Sequence, residues 1–245
     1  MKQLLARTLM RIAQRVSSDA TLNQRKAKKK RHMEDAISPN SRYELSNTWF
    51  ENHRAEWDTF IARHKPQTLL EIGSYEGASA CYLIDTLARD AAIELHCVDT
   101  WEGSVEHTNG SQPMSLVEDR FQRNTALAIQ SAVHPVDLVV HKGESGVVLP
   151  ELIAAKMQER FDWIYIDGSH RAPDVLFDAV VAFKLLKPGG LMIFDDYLWR
   201  DPSIELFDPL RNPKIAIDAF TNIYGQEIRI QRAKLAQLYI TKKRQ

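Results

Sequence analysis

From Thr68 onward, short apolar and β-branched runs alternate with longer segments whose apolar residues recur every three or four positions. The runs cover residues 68–72, 93–98, 136–141, 161–167 and 191–194, and the periodic segments cover about 77–90, 115–131, 146–158 and 173–186. Strands that alternate with helices predict a parallel sheet with right-handed crossovers, the α/β doubly wound, Rossmann-like class. The tail breaks the rhythm. After a helix at about 213–224, two strand-like runs at 226–230 and 235–240 stand either side of a short polar stretch, which predicts a closing antiparallel hairpin. Upstream, Trp49, Phe50, Trp57, Phe60 and Ile61 predict one or two helices that stop before Lys65-Pro66, because the residue ahead of a proline disfavours the helical region. At the start, Leu5, Leu9, Ile12 and Val16 recur at helical spacing opposite Arg7, Arg11 and Arg15, so residues 2–16 read as a basic amphipathic helix. The pattern divides the chain into a basic arm (1–31), a helical preface or lid (32–66) and a main α/β domain (67–245).

Charge sharpens that division. The 245 residues carry 32 Lys+Arg and 32 Asp+Glu, yet residues 1–31 hold ten bases and only Asp19, a local +9 set against −9 in the remainder. Three readings of the arm stand open. It is an extension that packs on the body or on another subunit, an Arg-rich organelle-targeting or membrane-surface helix, or a nucleic-acid contact through the run at 25–31. The last has only clustered charge behind it, with no stacking or base-reading residues beside it. No apolar run exceeds five residues, so a transmembrane helix of about 20 is excluded, and the start lacks the unbroken apolar core of a secretory signal. Cys81 and Cys97 lie in apolar segments without CxxC spacing, which argues against a disulfide framework or a structural zinc. A soluble protein of a reducing compartment is expected: cytoplasmic, with organelle targeting as the alternative.

Open parallel sheets bind ligands beyond the carboxyl ends of their strands, so the residues after each run carry the chemistry. The first end is Glu71-Ile72-Gly73-Ser74-Tyr75-Glu76-Gly77, where Gly73 permits a tight turn and Gly77 close packing of the next helix. It is not GxGxxG, and no GxxxxGK[ST] occurs. Asp99, 26 residues beyond Gly73 and followed by Thr100 and Trp101, stands where an acid accepts hydrogen bonds from both hydroxyls of a ribose. Gly143-Glu144-Ser145 supplies a turn and two polar side chains near an adenine position, although Ser145 equally fits a helix N-cap. Asp167 closes the fourth run, and Asp195-Asp196 closes the fifth, 28 residues later. Adjacent parallel strands would gather three carboxylates at one edge, where a hard divalent ion, Mg²⁺ before Mn²⁺ or Ca²⁺, offsets their repulsion. The competing reading has these acids capping helices or pairing with Arg171 or Arg200.

Taken in order, Glu71-x-Gly73-x-x-x-Gly77, Asp99, Tyr165-Ile166-Asp167-Gly168-Ser169-His170, Leu186-Lys187-Pro188-Gly189-Gly190 and Phe194-Asp195-Asp196-Tyr197 resemble a class I S-adenosylmethionine-dependent methyltransferase. Within that class the chain is similar to the small-molecule and sugar O-methyltransferases, the group of macrocin-type enzymes and cephalosporin-hydroxylase-like proteins, over about residues 45–241. The resemblance implies a seven-stranded sheet, mostly parallel, ending in the antiparallel hairpin. It implies S-adenosylmethionine against Glu71, Gly73, Ser74, Tyr75, Gly77, Asp99, Thr100, Trp101, Glu144, Ser145 and Asp167, and Mg²⁺ on Asp167, Asp195 and Asp196. The acceptor it implies is a small molecule: a sugar, a phenol or another hydroxyl compound. His170, three residues after Asp167, matches the position of a basic lysine in catechol-type O-methyltransferases, and His170 with Asp167 forms the expected catalytic pair.

The chain departs from the pattern at two places. Ser169 stands where several sugar O-methyltransferases carry an acid assigned as general base, and a serine takes up no proton at neutral pH, so either His170 takes that role or the reaction differs. Pro173 starts the next helix well but removes a position that is commonly near an aromatic. Trp101, Tyr197 and Trp199 follow strand ends and either wall the acceptor or pack internally. Two other functions compete: a methyltransferase-like binding or scaffold module without catalysis, with the arm as its contact surface, and an NAD(P)-dependent Rossmann oxidoreductase, which lacks its GxGxxG here. Acceptor choice is expected to lie in segments 33–60, 101–120 and 197–213, where the chain is least patterned.

Overall fold

The computed structural model describes residues 42–103, 113–200 and 208–244. The expected helix at 2–16 and the basic run at 25–31 lie outside the described residues, as do parts of the segments expected to choose the acceptor. The chain divides into two compact units, residues 1–51 and 52–245. Within the described part of the first, Asn47 Oδ1 accepts the Trp49 amide at 3.1 Å.

The second unit is built from strands β1 (Thr68–Ile72), β2 (Ile93–Asp99), β3 (Val136–Lys142), β4 (Phe161–Ile166), β5 (Leu186–Phe194), β6 (Ile228–Ile230) and β7 (Leu238–Lys242). Its helices are α1 (Arg54–His64), α2 (Ala78–Leu87), α3 (Met114–Gln130), α4 (Ser145–Ala154), α5 (Ala172–Leu185) and α6 (Lys214–Ile223). The strands form one seven-stranded sheet in the order β3-β2-β1-β4-β5-β7-β6. Only β7 runs against its neighbours, pairing antiparallel with both β5 and β6. The expected closing hairpin is therefore present, and the order differs from the all-parallel 3-2-1-4-5-6 of dinucleotide-binding sheets.

Register decides which side chains share a face. Glu71 pairs with Cys97 and Tyr165, Tyr165 with Ile193, and Ile193 with Tyr239, so these five lie in one row on one face. Above that row sits α1, whose Trp57, Phe60 and Ile61 are buried at i, i+3, i+4 spacing. Trp57 meets Trp163 and Tyr165 edge-on at 5.2 and 4.9 Å, and Phe60 stacks on Tyr239 at 4.6 Å. The helix stops where expected, with Lys65 left-handed and donating its N–H to Ile61 O before Pro66. The opposite face carries Leu70, Ile72, Val98, Ile164, Ile166 and Phe194 into a core shared with α4, α5 and α6. Among the described residues, no helix is long and apolar enough to cross a membrane.

Three of the boundaries that differ from the sequence pattern have a visible cause. The helix expected to reach 158 ends at Ala154, because Lys156 turns left-handed (φ 61°) and returns Met157 to the core. Strand β5 begins at Leu186, with an irregularity that lets Phe161 pair Leu186 while Trp163 pairs Leu191, so the Lys-Pro-Gly-Gly segment is a bulge inside the strand. In the hairpin, β7 starts at Leu238 rather than 235. Leu235 is exposed, and the ladder that buries Leu238, Tyr239 and Ile240 begins only after Gln237.

Candidate active site

The strand ends meet in one row. Asp167 N bonds Ile72 O at 2.7 Å, Asp195 N bonds Ile166 O at 3.0 Å and Gly73 N bonds Val98 O at 2.8 Å, so the ladder continues one residue past β1 and β4. This brings Gly73, Asp99, Asp167 and Asp195 side by side at the carboxyl edge of the sheet. Gly73 has φ +87°, and a Cβ there would sit 2.0 Å from Asp167 O, so the glycine is required by the approach of β4 itself.

Two carboxylates brace the turn after β1 from opposite sides. Asp99 Oδ2 accepts the amides of Ser74 (2.8 Å) and Tyr75 (2.9 Å), and its Oδ1 accepts the amide of Trp101 (2.7 Å). Tyr75 and Trp101 take left-handed φ values of 48° and 51°, and the Trp101 indole donates to Tyr75 O at 2.9 Å. Bulky residues in that region cost of order 1–3 kcal/mol, which this reciprocal bracing offsets. Beneath the turn, Glu71 is fully buried, and accepts the hydroxyls of Ser74 (2.6 Å) and Ser79 and the Cys97 thiol (3.5 Å). Burial, opposed only in part by these bonds, pushes its carboxyl up to about 7 from the ordinary 4.5.

A pH dependence follows from that shift. The folded chain holds the Glu71 proton more tightly than the unfolded chain does. Its contribution is therefore complete below about pH 4.5 and is lost as pH rises through about 7. The span corresponds to at most about 3 kcal/mol. Thermal melts between pH 5 and 8 are expected to show Glu71→Gln losing less stability with rising pH than the wild type, because the amide never ionises and, like the protonated carboxyl, can accept from one serine hydroxyl and donate to the other. Parallel pH profiles would refute this account.

Beyond β4 and β5 the acids separate into two groups. Asp167, His170 and Asp196, each half-buried, offer ligand atoms that all lie within 4.8 Å of one another. His170 Nε2 stands 2.6 Å from Asp196 Oδ2, and the imidazole stacks on Trp199 at 4.3 Å. Asp196 takes a left-handed φ of 55°, which turns it away from its neighbour. Asp195 belongs to a separate network: its Oδ2 accepts Gln237 Nε2 at 2.9 Å and the Tyr165 phenol, and its Oδ1 accepts the Asp196 amide at 2.7 Å. Gln237, itself buried, accepts the Trp57 indole at 2.9 Å. Tyr165 Oη also stands 2.8 Å from Asp167 Oδ2 and so links the two groups. Burial first, then the charges of Asp195 and Asp196, hold the Asp167 carboxyl well above the usual range; burial and Asp196 raise Asp195 in the same direction.

The remaining expected residues fall as follows. Gly77 caps α2 with φ +82°, packed against Phe121 of α3. Thr100 accepts the Glu102 amide at 3.1 Å. Trp101 is buried against Phe121 beside the glycine turn, so it packs internally. Glu144, not Ser145, is the N-cap residue of α4. Ser169 Oγ donates to Asp174 (2.8 Å) and accepts the Arg171 amide (3.1 Å), which ties it to the first turn of α5. Tyr197 Oη donates to Asp218 at 2.7 Å and accepts from Lys214 at 3.0 Å, while Trp199 covers His170. Tyr165, Gln237, Trp57 and Ser79 were not foreseen; the only sequence signal among them is Tyr165, two residues before Asp167 and thus on the same face.

A family model described as a methyltransferase domain matches residues 70–197. Comparison with curated protein sequences returns no match. Among solved structures, the chain is similar to the O-methyltransferase TomG from Streptomyces achromogenes, involved in tomaymycin synthesis and solved with S-adenosylmethionine. The two share 18% identity at a TM-score of 0.53, over 79% of this chain and 87% of that one. An O-methyltransferase from Bacillus cereus, solved with S-adenosylhomocysteine, is similar at 15% identity and a TM-score of 0.52, over 86% and 96%. The O-methyltransferase NovP gives 16% identity and a TM-score of 0.50, over 80% and 79%. At these identities the likeness is one of fold.

Proposed function

Because the chain belongs to the methyltransferase-domain family, we propose that it is an S-adenosylmethionine-dependent O-methyltransferase acting on a hydroxyl of a small molecule, such as a sugar or a phenol, with help from a divalent cation. One observation carries the reading: a braced glycine turn and a carboxylate-imidazole cluster meet at the same sheet edge, with Asp167 touching both. S-adenosylmethionine supplies an electrophilic methyl group on a sulfonium sulfur. The residues that would hold it are the turn Gly73 to Gly77, Asp99, Thr100 and Trp101, and the Glu144-Ser145 end of α4. Asp99 already accepts three backbone amides, so a ribose would share a carboxylate whose position the loop has set in advance.

The donor set at Asp167, His170 and Asp196 fits a divalent cation, since two carboxylates and a ring nitrogen converge within one coordination sphere. Such an ion, when bound, supplies Lewis acidity that lowers the pKa of an acceptor hydroxyl. The chain's own contribution is placement. Trp199 fixes the imidazole plane, and Tyr165 holds Asp167. Calorimetry with S-adenosylhomocysteine, on full-length protein freed of copurified ligand, is expected to give a dissociation constant between micromolar and millimolar. No binding in that range would overturn the reading; binding would justify screening hydroxyl acceptors by release of S-adenosylhomocysteine.

A further inference from the structure

We infer that the cation site of this chain is completed by a nitrogen, His170 Nε2, together with Asp167 and Asp196, that it therefore favours first-row transition ions over Mg²⁺, and that Asp195 positions the site without ligating. The inference rests on the metal-assisted reading above and says which residues and which ion that reading requires.

Asp195 is the first ground for it. Its oxygens are engaged by Tyr165, Gln237 and the Asp196 amide, and His53 Nε2 stands 4.0 Å from its Oδ1. Gln237 is in turn held by Trp57, deep beneath α1. Moving Asp195 onto an ion would abandon a buried amide and a buried phenol, each costly to leave unpaired. The second ground is His170. Its ring is fixed by stacking on Trp199, Trp199 N bonds Asp196 O at 2.9 Å, and the preceding Ser169 is anchored to Asp174 and to the Arg171 amide. Ring and carboxylate are thus held by the same 196–199 turn, with Nε2 facing the carboxylates and Nδ1 buried. The left-handed Asp196 provides the third ground, because it sends consecutive carboxylates in different directions, one into the Gln237 network and one toward His170. A ligand nitrogen cannot also accept the acceptor's proton, so His170 changes from the expected base into a ligand.

An imidazole among oxygen donors moves preference from Mg²⁺ and Ca²⁺ toward Mn²⁺, Fe²⁺, Co²⁺ and Zn²⁺. The test uses full-length protein dialysed against a chelator and then loaded with Mn²⁺. Electron spin echo envelope modulation is expected to show nitrogen coupled to the bound ion. That coupling should vanish in His170→Ala and His170→Gln and persist in Asp195→Asn. In competition calorimetry, Co²⁺ should displace Mg²⁺ with a preference of more than about tenfold, which His170→Ala reduces by about 10–100-fold. Binding of S-adenosylhomocysteine by each variant checks that it is folded. Mn²⁺ bound without nitrogen coupling, coupling that survives loss of His170, or an Asp195→Asn variant that binds no ion would each overturn the ligand assignment and leave methyl transfer standing. Failure of the wild type to bind any divalent ion would overturn both the assignment and the metal assistance, while its binding of S-adenosylhomocysteine would still report separately on the methyltransferase reading.

Discussion

Gly73→Ala is expected to lower the melting temperature by more than about 10 °C and to eliminate binding of S-adenosylhomocysteine. The added Cβ would stand 2.0 Å from Asp167 O, 2.5 Å from Asp167 C and 2.8 Å from Gly168 Cα, all of them backbone atoms. None can yield without parting β1 from β4, and the bond from Asp167 N to Ile72 O lies at the same point. The φ of +87° adds conformational strain for any side chain. Together these amount to about 4–5 kcal/mol, the range reserved for severe backbone or core damage, and for a domain near 200 residues each kcal/mol is worth about 2–4 °C. Gly77→Ala is the control. It shares a positive φ of +82°, but its nearest neighbour is the Phe121 ring at 3.1 Å, which can rotate away, so a smaller loss is expected. Thermal melts in the absence of cofactor decide the matter. If Gly73 served only to let a ligand approach, the variant would melt like the wild type and lose affinity alone.

That glycine illustrates what could be read in the chain and what could not. The strand-end residues were legible because a parallel sheet delivers each carboxyl end to one edge, and the apolar runs that mark β1, β2, β4 and β5 are buried on both faces, while β3 lies at the sheet's edge and is partly exposed. Asp99, Asp167 and Asp196 could therefore be placed from order and spacing alone. What each does to its neighbours could not, because the partners lie far apart in sequence. Asp195 is held by Gln237, 42 residues on, and Gln237 by Trp57, 180 residues back. Gln237 lies inside the run 235–240 that reads as a strand, and nothing in composition marks this one polar residue of the run as buried. Glu71 and Asp99 look alike as strand-end acids, but they differ in register. Glu71 lies level with Cys97 and Tyr165 beneath the turn, whereas Asp99 lies one pleat higher, where it meets the loop amides. The competition between His170 as base and as ligand likewise depends on the backbone twist at Asp196, which a sequence pattern with period two does not contain.

Asp167→Asn and Asp196→Asn are each expected to reduce turnover by at least about 10³-fold while changing S-adenosylhomocysteine affinity no more than a few-fold. Asparagine is the cleaner replacement. At Asp196 it tolerates the left-handed φ of 55°, where alanine would add strain unrelated to chemistry. At Asp167 it preserves an oxygen for the Tyr165 hydroxyl, 2.8 Å away. Each variant removes one negative charge from the group that faces the acceptor, and a loss of 10³ corresponds to about 4 kcal/mol of transition-state stabilisation, in the range of one preorganised electrostatic partner. Cofactor affinity should persist, because the turn is braced by Asp99 and Glu71, neither of which touches the substituted carboxylates. Asp195→Asn provides the internal comparison. Its side chain works through Tyr165 and Gln237, so its effect on turnover should be smaller than that of either ligand position. Single-turnover rates and calorimetry on the three variants separate the cases. Equal loss of cofactor affinity and turnover in Asp167→Asn would mean that Asp167 supports the turn alone, and that the cluster beside it contributes nothing to the chemistry.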